Sequence, residues 1–171
     1  FHLYEIDRPL VKSIVQGIGT VFSDYVLYAA NEDDVILVAS AAGKVPPLTD
    51  APFAWPAMRA ELEYLDIRSP AQLQMFRIAS RRAYAPLLEN GRVSSDYFPY
   101  LEYGAARSRF LGRRDSVLID TVRDPMPLLE ILSGFAAPGL AESSNIIASV
   151  YPRFFEVGIT HQLAAVLAAT G

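Results

Sequence analysis

The chain has no cysteine and only two histidines, and these absences exclude several kinds of chemistry. Without cysteine there is no disulfide, no thiolate nucleophile and no cysteine-ligated zinc site. His2 and His161 lie at opposite ends of the chain, without carboxylates at the spacing typical of a metal site. No G-x-S-x-G motif surrounds any serine, so the sequence also lacks a nucleophile elbow.

Long apolar runs are missing as well. No stretch reaches the roughly 18–20 consecutive apolar residues that a membrane helix needs, and no signal peptide is visible in the sequence. We therefore expect no membrane segment in this chain. The lack of cysteine suits the cytoplasm and the periplasm equally, so the location stays open, with the cytoplasm preferred.

What is present is an ordinary globular composition. Of the 171 residues, 51% are hydrophobic and 20% are charged, which is enough for one domain with a core or for a small domain with an appendage. The formal net charge of −4 disfavours non-specific binding to nucleic acid. We interpret the basic clusters at 77–88 and 107–114 as solvated faces, and we expect no nucleic-acid partner.

The chain begins inside an apolar, β-like stretch, residues 1–6, which we interpret as the end of a strand in a longer protein. A helix is predicted next, because Asp7 suits an N-cap and Pro9 fits the first turn, where a missing N–H costs nothing. The apolar face of this helix is predicted from residues at helical spacing, namely Leu10, Ile14, Ile18 and Val21.

The clearest local signal is a β-hairpin. Two runs rich in β-branched and aromatic residues, near 24–30 and 35–39, flank a polar turn at Asn31–Asp34. The second run shows no polar alternation from Val35 to Val38, so we expect it to be buried on both faces, inside a sheet.

A linker with four prolines, residues 41–56, leads into a mostly helical region. Helices are predicted at about 54–65, at 69–80 with Ser69 as N-cap, and from 81 to a stop at Asn90–Gly91. A short strand is predicted at 99–103, with further helices near 125–135 and 144–169. The predicted division is a sheet remnant at 1–45, a helical segment at 46–110 and a helical extension at 111–171.

The order of strand end, helix and antiparallel hairpin resembles the way a Rossmann-like methyltransferase sheet finishes. Residues 1–40 resemble the closing part of spermidine synthase-like proteins, the polyamine aminopropyltransferases of that superfamily. The stretch "SSDYFPYLEYGAAR", residues 94–107, is similar to a family phrase of the form N-T-D-D-x-P-x-L-E-Y-x-A-P-R. It departs from that phrase at Ser94, Ser95, Tyr97 and Ala106.

The resemblance implies an α/β fold, which becomes α+β in a fragment, and it implies an activity for the whole protein. That activity is aminopropyl transfer from decarboxylated S-adenosylmethionine to an amine. The nucleoside site and the catalytic acid would both lie upstream of Phe1, so we expect no cofactor and no activity in this chain alone. The glycines of "QGIGT", 16–20, follow no strand and are not interpreted as a nucleoside-binding turn.

Two interpretations of Tyr4 and Glu5 stay open. They follow the expected strand at its carboxyl end, where open α/β sheets bind ligands, so they are candidates for contacts with the substrate. The alternative is a tyrosine packed on the sheet edge and a glutamate near the N-terminus of the following helix.

The aromatic stretch 93–110 also has two interpretations. Asp96 and Glu102 would serve as a paired acid and base in an active site. The interpretation that we favour is a structural clasp with Pro99–Tyr103 extended, Asp96 capping a turn and Glu102 paired with Arg107 or Arg109. Tyr100 or Tyr103 would pack on apolar surface, so Tyr103→Ala would lower the melting temperature by several degrees.

The expected partner of this chain is the N-terminal remainder of its own catalytic domain, and a homo-oligomer is a further option. A different class of function also fits the sequence. Residues 54–171 would form a helical protein–protein interaction module, anchored on the small sheet.

Overall fold

The computed structural model describes residues 1–31 and 33–115. The helices predicted near 125–135 and 144–169 lie outside these residues. The described part contains helices and one small antiparallel sheet, which is an α+β arrangement. In chain order its elements are α1 (Arg8–Val21), β1 (Asp24–Ala29), β2 (Val35–Ser40), a 3₁₀ turn (Ala51–Ala54), α2 (Pro56–Tyr64), α3 (Pro70–Met75), β3 (Arg77–Ser80), α4 (Arg81–Tyr84), a second 3₁₀ turn (Ala85–Leu88) and α5 (Tyr100–Phe110).

Helix α1 confirms the first predicted helix, with two corrections. Asp7 occupies the N-cap position, but its side chain makes no capping hydrogen bond. The buried face is also partly rotated from the predicted one: Leu10 is buried as predicted, but Val11 and Val15 are fully buried and Val21 is 73% exposed. The rotation follows from the sheet, which covers the side of the helix that carries these two valines.

The hairpin is confirmed, but β2 is an edge strand and not an internal one. The strand order is β2-β1-β3, and all pairs are antiparallel. Leu27 of β1 lies opposite Leu37 of β2 on one side and opposite Ala79 of β3 on the other. Ile36 and Val38 are 53% and 42% exposed, so the prediction that β2 is buried on both faces is wrong.

Strand β3 forms where a helix was predicted. The predicted cap is present, since the Ser69 hydroxyl accepts a hydrogen bond from the backbone N–H of Gln72. The helix that follows nevertheless ends at Met75. Ile78 and Ala79 are fully buried beside β1. Pairing with β1 satisfies the backbone of this apolar segment and buries its side chains, and this outweighs its helical preference.

The core lies between the sheet, α1 and α4. A buried Leu, Ile or Val side chain contributes roughly 1.5–3 kcal/mol relative to an exposed one, so this cluster is the main source of stability in the described residues. Its fully or nearly fully buried members are Leu3, Val11, Val15, Tyr25, Leu27, Ala29, Val35, Ile78, Ala79, Ala83 and Tyr84.

The strand predicted at 99–103 is also wrong, because residues 100–103 form the first turn of α5 and Pro99 is its N-cap residue. The Ser94 hydroxyl accepts a hydrogen bond from the N–H of Leu101 at 3.0 Å, near the start of the helix. The acidic Glu102 in the first turn and the arginines in the last turn stabilise α5, because their charges are opposite to those at the two ends of the helix dipole. At Gly104 α5 approaches α1 closely, since a Cβ there would lie 2.3 Å from a methyl group of Leu10.

Candidate functional site

Three ion pairs connect the N-terminal segment 5–8 with the chain at 109–115. We call this set the ionic clasp. Its two outer pairs lie at the surface, whereas Asp115 at the inner pair is only 2% exposed. The backbone N–H of Asp115 also donates to the carbonyl of Leu3 at 3.4 Å. The pairs are Arg109–Glu5 at 3.4 Å, Arg113–Asp7 at 3.4 Å and Arg8–Asp115 at 3.7 Å.

The inner end of the ionic clasp faces a buried tyrosine. Burial raises the pKa of Tyr84 well above its usual range, and the negative charge of Asp115 raises that pKa further. Burial also raises the pKa of Tyr25, although the nearby Arg81 acts in the opposite direction. Both hydroxyl groups therefore stay protonated at neutral pH, and they add no charge to the core.

Tyr4 and Glu5, the predicted substrate contacts, lie in a turn just before α1. Tyr4 is 45% exposed, and its ring centroid is 5.1 Å from that of His2. Glu5 belongs to the ionic clasp through Arg109. This arrangement gives Glu5 a structural partner, whereas the contact of Tyr4 with a substrate stays a prediction.

The aromatic stretch 93–110 differs in detail from the predicted clasp. Of the two rings predicted to pack on apolar surface, Tyr103 is 76% exposed and does not, whereas Tyr100 is half-buried. Asp96 is exposed, and the turn before Pro99 is held by Ser95, whose hydroxyl accepts from the N–H of Phe98 at 3.2 Å.

The expected ion pair of Glu102 is not formed either. Within residues 1–31 and 33–115, the recorded ion pairs include neither Glu102 nor Arg107, and Arg109 pairs with Glu5. The ionic clasp instead joins Arg109, near the end of this stretch, and residues 113–115 to the N-terminal segment 5–8. The opposite charges of "RSRFLGRRD" at 107–115 and of the acidic residues in 5–7 are visible in the sequence, but no local pattern shows that the two segments meet.

The exposed aromatic side chains line a groove beside α5. We call it the aromatic groove, and its volume is about 700 Å³. Tyr97 and Phe98 are 91% and 77% exposed. The aromatic and cationic residues that line the groove are Arg92, Tyr97, Phe98, Tyr100, Tyr103 and Arg107.

A second, smaller cavity of about 260 Å³ adjoins the aromatic groove at the start of α1. The two cavities share Arg92 and Tyr100, so they adjoin each other, and we call the two together the concave surface. We call the smaller cavity the cationic pocket, because Arg8, Lys12 and Arg92 line it and Glu89 is the only acidic residue of the described ranges in its lining. The sequence analysis did not predict the cationic pocket, because its residues come from segments about 80 positions apart. Lys12, for example, contacts the carbonyl of Glu89, which lies 77 positions later in the chain.

The loop that separates the two cavities has a tightly determined path. Asn90 adopts a left-handed backbone conformation with φ of 62°, which asparagine tolerates better than most residues. At Gly91 an added Cβ would lie 2.2 Å from the side-chain oxygen of Gln16 in α1. The close approach of Gly91 to α1 therefore positions Arg92 at the junction of the two cavities.

The part of the chain that the structure describes contains no group of three or more His, Asp or Glu residues that could hold a metal ion. In the same part, no helix has the length and apolar character that crossing a membrane requires. No protein-family model, curated protein or solved structure matches the chain. The proposals below therefore rest on the residues and on the geometry of the molecule itself.

Proposed function

We propose that the chain is the closing part of a spermidine synthase-like transferase and that it completes the sheet of the catalytic domain. The observation that carries this proposal is the backbone pairing of the first residues with β2. Phe1 and Val35 exchange two hydrogen bonds, at 2.7 and 3.0 Å, and the N–H of Leu3 donates to the carbonyl of Asp33 at 2.8 Å. Residues 1–3 thus run antiparallel to the start of β2, as the end of a neighbouring strand would.

The rest of the outer edge of β2 is open to another strand. Peptide groups alternate in direction along a strand, so Leu37 and Ala39 point to the same side as Val35, away from β1. Among the described residues, neither of them has a recorded backbone partner on that side. A strand that continues upstream from Phe1 would pair with both residues, and it would make β2 an internal strand.

The outer face of the hairpin supports the same proposal. Ile36 and Val38 leave apolar surface exposed on the face opposite the core. Edge strands of this kind are prone to pair with other strands unless they are covered. The remainder of a catalytic domain would cover both the edge and this face.

In this proposal the chain has a structural role and contributes to the rim of the substrate site. Aminopropyl transfer to a small amine would use a nucleoside site and a catalytic acid that lie upstream of Phe1. Tyr4 is half-exposed in the turn after the paired residues, so it would provide a contact at the rim. Glu5 would mainly hold the ionic clasp, which fixes the position of that turn.

Amide hydrogen exchange tests the pairing directly. The 171-residue chain would be compared with a longer protein in which, as the proposal requires, residues of the catalytic domain precede Phe1. We expect the amides of Leu37 and Ala39 to exchange rapidly in the first protein and at least tenfold more slowly in the second. Ile36 and Val38, whose amides point towards β1, serve as internal controls. Unchanged exchange at Leu37 and Ala39 would contradict the proposal.

Binding measurements test the part of the proposal that concerns activity. Calorimetry of the 171-residue chain with decarboxylated S-adenosylmethionine is expected to give no heat beyond dilution. The extended protein is expected to bind the same compound and to transfer its aminopropyl group to an amine. A micromolar dissociation constant for the 171-residue chain alone would show that the nucleoside site has been assigned to the wrong part of the protein.

A second candidate function is supported by α2 and its flanking residues. No residue of α2 is buried, and several large apolar side chains around it are exposed, as expected for a helix that binds a partner protein. The chain has one tryptophan, so the fluorescence of Trp55 reports its environment. A blue shift on extension of the chain before Phe1 would favour the transferase. The exposed side chains are Trp55 (66%), Met58 (42%), Tyr64 (85%) and Leu65 (62%).

A further inference from the structure

We infer that the aromatic groove and the cationic pocket together bind a small molecule in which an anionic group is joined to a planar ring. This ligand is distinct from the substrates of the proposed transferase. Decarboxylated S-adenosylmethionine and its amine acceptors are cations, and a surface lined by arginine and lysine repels them. The two sites are therefore separable by experiment.

The first step of the inference concerns the rings. Tyr97, Phe98 and Tyr103 are each more than three-quarters exposed, and all three line the same groove. Exposed aromatic side chains that are scattered need no explanation, but a group of them in one concavity indicates a binding surface. Aromatic rings of this kind stack on the flat faces of planar ligands, whatever the exact ring.

The second step concerns charge. Lys12, Arg92 and Arg107 line the concave surface, and across the described ranges no carboxylate forms a recorded ion pair with any of them. Among the described residues that line the two cavities, Glu89 is the only acidic one. The chain as a whole has a net charge of −4, so this local excess of positive charge is not a property of the whole surface. Arginine recognises carboxylate and phosphate groups through paired hydrogen bonds, and the pocket is complementary to such a group.

The third step concerns the way in which the two parts are joined. Arg92 and Tyr100 belong to both cavities, so a ligand whose ring lies in the groove would extend its charged group into the pocket at the start of α1. The first turn of this 14-residue helix contributes a partial positive charge to the same place. The pocket volume of about 260 Å³ suits a single phosphate or carboxylate and not a polymer backbone. The two sources of such a ligand are nucleoside phosphates and aryl carboxylates.

Calorimetric titration of the full chain with four probes tests the inference. Adenosine 5′-monophosphate and 2-naphthoate each carry a ring and an anionic group, and they represent the two sources. Adenosine has the ring without the charge, and inorganic phosphate has the charge without the ring. We expect at least one of the first two probes to bind at least tenfold more tightly than both adenosine and phosphate. Binding of neither would overturn the inference.

Matched variants locate the binding. Tyr103 and Arg107 are exposed on α5. The variants Tyr103→Ala and Arg107→Gln are each expected to weaken binding of the ring-bearing anion at least tenfold. Tyr64→Ala and Arg59→Gln change the same residue types at exposed positions of α2 and are expected to leave binding unchanged. Circular dichroism would verify that all four variants fold. Equal effects of the α2 and α5 variants would overturn the inference.

A short single-stranded oligonucleotide provides the remaining comparison. Polymers also use stacked rings and positive grooves, and their affinity rises with length. We expect a trinucleotide to bind no more tightly than the mononucleotide, because the pocket takes one anionic group. Affinity that rises steadily with the number of nucleotides would show a nucleic-acid surface and would overturn the inference in favour of a polymer. Each of these outcomes is independent of the exchange experiment on β2.

Discussion

Tyrosines have opposite environments in two regions of this molecule. In the sheet region, formed by β1, β3, α1 and α4, Tyr25 and Tyr84 are 1% and 4% exposed. In the groove region, residues 92–107, Tyr97 and Tyr103 are 91% and 76% exposed. The residue type is the same, so its burial is set by the surrounding elements and not by its hydrophobicity. A cluster of aromatic residues in a sequence therefore indicates either a core or a binding surface.

The difference has a simple structural cause. Tyr25 lies on a central strand, with a strand on each side and α1 across one face. The groove region contacts the rest of the molecule chiefly along one side of α5, where Gly104 meets Leu10. Side chains on the other sides of that helix have nothing to pack against in the described structure. Tyr103 therefore stays exposed two turns away from the ionic clasp that holds the end of the same segment.

The largest expected effect is in the sheet region. Leu27→Ala removes a fully buried side chain at the centre of the three strands and is expected to destabilise the protein by roughly 2–5 kcal/mol. Urea unfolding followed by circular dichroism would measure this. Ile36→Ala, on the exposed face of β2, is the matched control and is expected to cost less than about 1 kcal/mol. Equal losses would break the comparison between buried and exposed positions.

The next effect concerns the ionic clasp, which joins the two regions. Arg8→Met removes the arginine opposite the buried carboxylate of Asp115, and the expected loss is about 1–3 kcal/mol, because a buried charge then loses part of the opposite charge that compensates it. Arg68→Met breaks the surface ion pair between Arg68 and Asp66, in which the two side chains are 71% and 90% exposed. This change is expected to lower the free energy of unfolding by less than about 1 kcal/mol. A smaller loss for Arg8→Met than for Arg68→Met would contradict the role of the clasp.

A third effect depends on pH and sharpens the comparison of the tyrosines. Burial raises the pKa of Tyr84 and of Tyr25 in the folded protein, so above the unfolded pKa of about 10 the folded state holds more protons than the unfolded state. Stability is then complete below about pH 10 and falls as the pH rises further. Urea midpoints between pH 8 and pH 11.5 would show this fall. Tyr84→Phe is expected to reduce this fall, and an equally steep fall in that variant would contradict the prediction.

The smallest effect is expected at Tyr103. Its ring is mostly exposed, so Tyr103→Ala is expected to change stability by no more than about 0.5 kcal/mol. The structural clasp that the sequence predicts for the aromatic stretch, which differs from the ionic clasp, instead requires Tyr103→Ala to lower the melting temperature by several degrees. Calorimetric scans of the variant and of the wild-type chain distinguish the two outcomes. A clear fall would show that Tyr103 is buried in solution, and it would remove the contrast between the two regions.

The sequence by itself determined the elements whose signals are local. The hairpin was predicted because two β-rich runs flank a short polar turn, and both strands lie within a residue of their predicted ends. The start of α1 agrees with the proline in its first turn, although Asp7 makes no side-chain cap, and the Ser69 cap of α3 was predicted correctly. In each of these places the hydrogen bonds that decide the conformation join residues close together in the chain.

Only the tertiary structure decided what depends on distant residues. Residues 77–80 became a strand because β1 offered an open edge, although their own sequence is compatible with a helix. The same choice left β2 at the edge of the sheet, with an apolar face that its pattern predicted to be buried. The cationic pocket and the ionic clasp join α1 and the residues just before it to residues about 80 to 110 positions later. Arg113, for example, contacts Asp7, which lies 106 positions earlier in the chain. Such contacts form only when the intervening chain has folded, so a local pattern carries no signal for them.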